Sequence, residues 1–290
     1  MTQLGKNESM AATVAGKPSP FHATQNTGVP TGRIACLTVA GPNPIEYYIY
    51  RPENCGDGTR LLVSIHGISR NALEQVRYFA KLAEVHNTIV VAPHFKSPMY
   101  QGYQTLGVDD GQQRSDKALH AILADLKHRG LWNGHPFSMF GFSGGAQFTH
   151  RYAMAYPTHL NSIAIGAAGW YTLPDETSPF PIGIAPTNEH DLTFDLDAFL
   201  DVPCHVIVGQ KDTKRDHALN KSPELDKAQG KTRLDRGRVF IEKMMNASRQ
   251  RQKTPQATLN IVDRAGHSFS KGMSQYGLGK LVFEKLFLIK

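Results

Sequence analysis

The chain has 290 residues, 40% apolar and 20% charged, a mix that suits a globular fold and is too apolar for disorder. Its formal charge of +7 does not point to nucleic acid, because residues 211–253 carry a local net of +7 and residues 170–201 a local net of −7, blocks that can pair with each other. No run of about 18 apolar residues occurs, which argues against a spanning helix and a membrane partner.

Residues 1–32 lack periodicity and are rich in Gly, Pro, Ser and Thr. They are expected to form a flexible arm and do not read as a secretory signal. RIACLTVA (33–40) and IEYYIYRP (45–52) flank the turn composition GPNP and predict an antiparallel hairpin. From residue 61 the rhythm changes. LLVSIHG (61–67), TIVVAP (88–93), PFSMFGF (136–142), NSIAIGAA (161–168), CHVIVG (204–209) and ATLNIVD (257–263) are short apolar strands. Helical spacing predicts helices over 71–86, 115–129, 144–156, 233–248 and 277–288. This alternation predicts an α/β fold with a mostly parallel, doubly wound sheet over 33–290, a single domain led by the hairpin. Residues 170–203 have no strong period and read as a loop or small lid insertion.

Gly141-Phe142-Ser143-Gly144-Gly145 fits G-x-S-x-G between a predicted strand and a predicted helix. A sharp strand-to-helix turn crowds its neighbours, so glycine is needed on either side of the serine. The turn lifts Ser143 clear of the sheet as a candidate nucleophile, with the Gly144 N–H at the helix start. A serine hydroxyl needs a general base. Among thirteen histidines, His267 is best placed, in DRAGHSFS after the strand 257–263. His150 and His159 follow the elbow helix and are expected to point away. His205 lies inside a strand and reads as a sheet residue. Asp212, in VIVGQKDT just past the strand 204–209, is the candidate orienting acid, with Asp216 and Asp201 as alternatives. The chain order Ser143, Asp212, His267 is that of the α/β hydrolases. His66-Gly67-Ile68 follows the strand 61–65. Gly67 lets the chain turn so that the Ile68 N–H joins that of Gly144 as an oxyanion donor, while His66 is expected only to stabilise the loop.

Together, HG after the third strand, GFSGG at the elbow, VGQKD and AGHSF resemble the α/β-hydrolase superfamily over roughly residues 33–290. The elbow segment GFSGGAQFTHRYAMAYP is similar to the serine-esterase branch with polyhydroxybutyrate-depolymerase-like and feruloyl-esterase-like proteins. The resemblance implies Ser143 as nucleophile, His267 as base, Asp212 as orienting acid, and Ile68 and Gly144 as oxyanion donors. It implies a carboxylic-ester hydrolase. The same triad also serves amidases, peptidases and acyltransferases, and the fold also serves non-catalytic binding proteins. The substrate is not carried over, because secreted polymer depolymerases are often disulfide-bonded.

Phe95, Tyr100, Tyr103, Phe142, Trp170 and Tyr171 are candidates for the substrate pocket, on loops at the strand carboxyl ends. They can equally pack those loops down. No cofactor or metal is expected, since no G-x-G-x-x-G follows a strand and no clustered ligand spacing occurs. Cys36, Cys55 and Cys204 are too few and too scattered for a disulfide framework, so the expected location is the cytoplasm and the expected partner a small acyl substrate.

Overall fold

The computed structural model of the chain describes residues 28–56, 58–108 and 113–287. Most of the expected arm, residues 1–27, lies outside the described residues. The part that is described packs against the body, with Val29 buried and the Gly32 N–H donating to the Arg51 carbonyl at 2.8 Å.

The hairpin is β1 (Ile34–Val39) and β2 (Ile45–Tyr50), antiparallel, with Ile34 opposite Tyr50 and Val39 opposite Ile45. Strands and helices then alternate as β3 (Arg60–Ile65), α1 (Ala72–Val85), β4 (Thr88–His94), α2 (Ser115–His128), β5 (Phe137–Phe142), α3 (Gly144–Ala155) and β6 (Leu160–Gly166). The remainder is α4 (Leu196–Leu200), β7 (Cys204–Gly209), α5 (Pro223–Gln229), α6 (Arg233–Gln250), β8 (Ala257–Val262), α7 (Phe269–Gln275) and α8 (Leu278–Phe287). The eight strands form one sheet in the order β1-β2-β4-β3-β5-β6-β7-β8. β2 runs antiparallel to β1 and β4, and every other pairing is parallel.

The period of two in the strands builds a core on each face. Leu61, Val63 and Ile65 of β3 enter one core with Ile89 and Val91 of β4, while Leu62, Val90 and Ala92 enter the other. The first core is closed by Leu119 and Ile122 of α2, Phe148 of α3 and Phe240 of α6. The second is closed by Val76 and Phe79 of α1 and by Val282 and Phe283 of α8. Each such side chain contributes about 1.5–3 kcal/mol when fully buried.

The chain leaves β3 towards β4 by α1 on one face and reaches β5, on β3's other side, by α2 on the opposite face. The strand order therefore reverses at β3, and the carboxyl ends of β3 and β5 flank a crevice where ligands settle in open α/β sheets.

Residues 170–203 hold only the short α4, and they run down α3 to its far end, where the Asp195 N–H donates to the Met154 carbonyl at 3.3 Å. That end lies eleven residues from Ser143, about 16 Å along a helix, so this half of the segment does not cover the elbow. The acidic and basic blocks do pair: Arg251 meets Glu176 and, at 3.3 Å, Asp197, and Lys253 meets Asp201 at 2.7 Å. Among the described residues, no helix is long and apolar enough to cross a membrane.

Candidate active site

Ser143 sits where β5 becomes α3, with φ 56° and ψ −112°. This lies outside the wells open to a side-chain-bearing residue and costs about 1–3 kcal/mol. The surroundings impose it: the Ser143 N–H donates to the Gly166 carbonyl at 2.7 Å, and the Ser143 carbonyl accepts from the Gln147 N–H at 3.2 Å. A Cβ on Gly141 would fall 2.2 Å from the Gly145 carbonyl oxygen. The glycines are thus required by the approach of α3 to the sheet.

His267 lies between β8 and α7. Its Nε2 is 3.0 Å from Ser143 Oγ and its Nδ1 is 2.7 Å from Asp212 Oδ2, across 124 and 55 sequence positions. A carboxylate only accepts, so Nδ1 carries the imidazole proton and Nε2 is left to accept from the serine hydroxyl. Asp212 is buried in the turn after β7, its N–H donating to the Gly209 carbonyl at 3.0 Å. The Phe142 ring lies against the imidazole, with centroids 5.2 Å apart.

Gly144 is the first residue of α3, so its N–H has no carbonyl partner within the helix. The turn after β3 runs beside it. A Cβ on Gly67 would lie 3.6 Å from Ser143 Cβ, and one on Gly144 would lie 3.0 Å from Ile68 Cγ2. Ile68 and Gly144 therefore flank the serine from the two strand ends of the crevice. His66 holds this turn. Its Nδ1–H donates to the Gly67 carbonyl at 2.8 Å, and its Nε2 accepts from the Phe95 N–H at 3.1 Å. Burial pushes its pKa down to about 4, so it is a neutral latch, as the sequence suggested. Arg70 adds a second fastening, donating to the carbonyls of Phe95, Tyr100 and Gln101.

The aromatic residues divide between the two expected roles. Phe95, Tyr100, Tyr103 and Tyr171 are buried, and Phe95 and Tyr171 are wholly so; they are packing residues, not the walls of an open pocket. Phe95 stacks on Tyr103, and Tyr171 stacks on Phe240. A strand end feeding a tight loop needs apolar filling beneath it, which consumes these rings. Tyr103 still reaches the elbow: its hydroxyl donates to the His66 carbonyl at 3.1 Å and would stand 2.5 Å from a Cβ on Gly144. Phe142 backs His267, and Trp170 is partly exposed with the Arg151 guanidinium 4.1 Å from its ring centroid.

The other candidates are engaged elsewhere. His150 is buried, accepts from the Thr172 N–H, and has its pKa pushed well down by burial. His159 meets the Tyr152 hydroxyl, and His205 meets Thr258. Asp201 pairs with Lys253 and Asp216 with Arg233. Sequence reasoning missed Arg233, which is buried beside both Asp212 and Asp216. Its signal was a cation in the first turn of a helix, where the dipole disfavours it. Among the described residues, no group of three or more His, Cys, Asp or Glu side chains is arranged to hold a metal ion.

This sheet order, with a strained serine on the crevice, defines the α/β-hydrolase fold, and comparison with solved structures gives the same result. The chain is similar to poly(aspartic acid) hydrolase-1 from Sphingomonas sp. KT-1, with TM-score 0.75 and 26% identity over 88% of this chain and 100% of that one. It is also similar to LpqC, the poly(3-hydroxybutyrate) depolymerase of Bordetella parapertussis, with TM-score 0.74 and 23% identity over 87% and 90%. A ferulic acid esterase matches with TM-score 0.60 and 14% identity over 89% and 98%. The chain has an esterase-like α/β-hydrolase fold, and its neighbours support a hydrolase. No protein-family model matches the chain, and no curated protein matches it.

Proposed function

We propose that the chain is a serine hydrolase that cleaves a carboxylic ester through an acyl-enzyme. The observation that carries this reading is the continuous relay from Asp212 Oδ2 through His267 to Ser143 Oγ, at 2.7 and 3.0 Å. His267 Nε2 takes the hydroxyl proton as Ser143 Oγ bonds to the acyl carbon. The carbonyl oxygen becomes negative against the N–H groups of Ile68 and Gly144, where the loss of one such donor costs about 3–4 kcal/mol of barrier. His267 then gives its proton to the departing alkoxide as the C–O bond breaks. Water repeats the sequence: His267 takes its proton, its oxygen bonds to the acyl carbon, and Ser143 Oγ leaves with the proton returned. Asp212 holds the tautomer and balances the transient imidazolium.

The substrate in this reading is a small acyl compound. We assign the chain to the cytoplasm on its three free cysteines, including the exposed Cys36. Hydrolysis of short-chain p-nitrophenyl esters, compared with the matching anilides, tests the reaction. The expected result is ester turnover lost in Ser143→Ala; equal rates in the two proteins overturn it. Amide cleavage is the second reading, favoured by the neighbour named poly(aspartic acid) hydrolase, since that polymer is a polyamide. Anilide turnover above ester turnover selects it.

A further inference from the structure

Arg233 is the first residue of α6, after the Thr232 cap. A cation there opposes the helix dipole, and its side chain is only 1% exposed. Neither helix propensity nor solvation accounts for it. Its guanidinium grips Asp216 in a fork, Nη1 to Oδ2 and Nη2 to Oδ1, each at 2.9 Å. The same Nη1 lies 3.5 Å from Asp212 Oδ1. Asp212 therefore meets His267 with one oxygen and Arg233 with the other, and both carboxylate oxygens have a partner that fixes the plane of the group.

We propose that Arg233, held by Asp216, is a positioning residue for the Asp212–His267 pair. It acts through Asp212 and touches neither substrate nor the reacting atoms. Three features of the arrangement support this role. A planar fork anchored on Asp216 has one orientation, so it transmits that orientation to Asp212. The buried cation offsets two neighbouring carboxylates, which would otherwise repel each other. Asp216 is one-third exposed and sits four residues past Asp212 on the same loop, so the loop is stapled to α6 beside the acid. Pairing with Arg233 also holds the Asp216 pKa down to about 2, so the clamp stays ionised throughout the neutral range.

This inference rests on the reading of Ser143, His267 and Asp212 as a triad. Its test therefore has a readout independent of substrate: the downfield proton NMR resonance of the His267 Nδ1–H, identified by its loss in His267→Ala. Asp216→Asn and Arg233→Lys are the variants, chosen because Arg233→Gln can fail to fold. In both, the resonance is expected to shift or broaden. Their kcat is expected to fall about 10- to 100-fold, as small misplacements of catalytic groups do, with KM within about twofold. In an Asp212→Asn background, the same substitutions should cost nothing further, since the group they act through is gone. An unchanged resonance and kcat in both variants overturns the proposal, as does an equal loss of kcat in the Asp212→Asn background. A wild-type protein that shows the resonance yet hydrolyses no ester overturns the proposed function and leaves the clamp standing.

Discussion

A methyl group on Gly145 would stand 2.1 Å from the carbonyl oxygen of Ile65. The start of α3 is pressed against the end of β3, and that contact brings the elbow beside the His66-Gly67-Ile68 turn. Gly145→Ala should therefore destabilise the fold by about 3 kcal/mol or express insolubly, since overpacking against backbone cannot be relieved by a rotamer. Gly266 is the control, because nothing lies within 4 Å of its would-be Cβ. Gly266→Ala should stay within about 0.5 kcal/mol of wild type in thermal denaturation. Equal stability of the two variants would contradict the close approach.

Asp212→Asn tests the tautomer argument. An amide in place of Oδ2 can present its N–H to the imidazole, which turns the lone pair to Nδ1 and the proton towards Ser143. The expected loss is about 10⁴-fold in kcat with KM little changed, as in the triad that serves as the general template. Steady-state ester hydrolysis reads it, and a loss below tenfold would remove Asp212 from the role.

Burial of Phe95 makes a separate prediction. Phe95→Ala removes a ring packed between Tyr103 and Phe148, so stability should fall by about 3–5 kcal/mol. Among soluble, folded molecules, KM for p-nitrophenyl esters should stay within about twofold. A large change in KM with unchanged stability would return Phe95 to the pocket wall.

Acid should weaken the fold from about pH 6.5 downwards. His66, His120 and His205 have pKa values pushed down to about 4 by burial, from the ordinary 6.5. Between those limits the unfolded chain binds more protons than the folded one, so stability falls as pH falls. It is fully present above about pH 6.5 and is lost on the way to pH 4. Asp216, held down to about 2 by Arg233, adds a second loss below about pH 4. Melting temperature measured from pH 8 to pH 3 should be flat at first and then decline from about 6.5. A flat profile down to pH 4.5 would contradict the neutral burial of these rings.

The sheet and the relay were legible because both have short-range signals. β3 to β8 are apolar runs, and α1, α2 and α6 carry apolar residues on one face. G-x-S-x-G marks a turn that few other residues can make. α4, α5 and α7 were not read, as five or seven residues are too few for helical periodicity. The caps Asp195, Ser222 and Ser268, with Pro223 opening α5 and Gly230 closing it, were short local traces of them. The pocket aromatics stayed open between lining and packing for a related reason: sequence shows that a ring lies in a loop after a strand, not whether the loop folds over it. Arg233 left only the faint trace of a cation in a helix's first turn, because its meaning depends on Asp212 and Asp216, which only the fold brings to it.

The most direct measurement of the central claim is covalent labelling by a fluorophosphonate, followed by intact-mass and peptide mass spectrometry. The account predicts one label per chain, on Ser143, absent in Ser143→Ala and strongly slowed in His267→Ala. A wild-type protein that takes no label, or that takes it on another residue, would contradict the account.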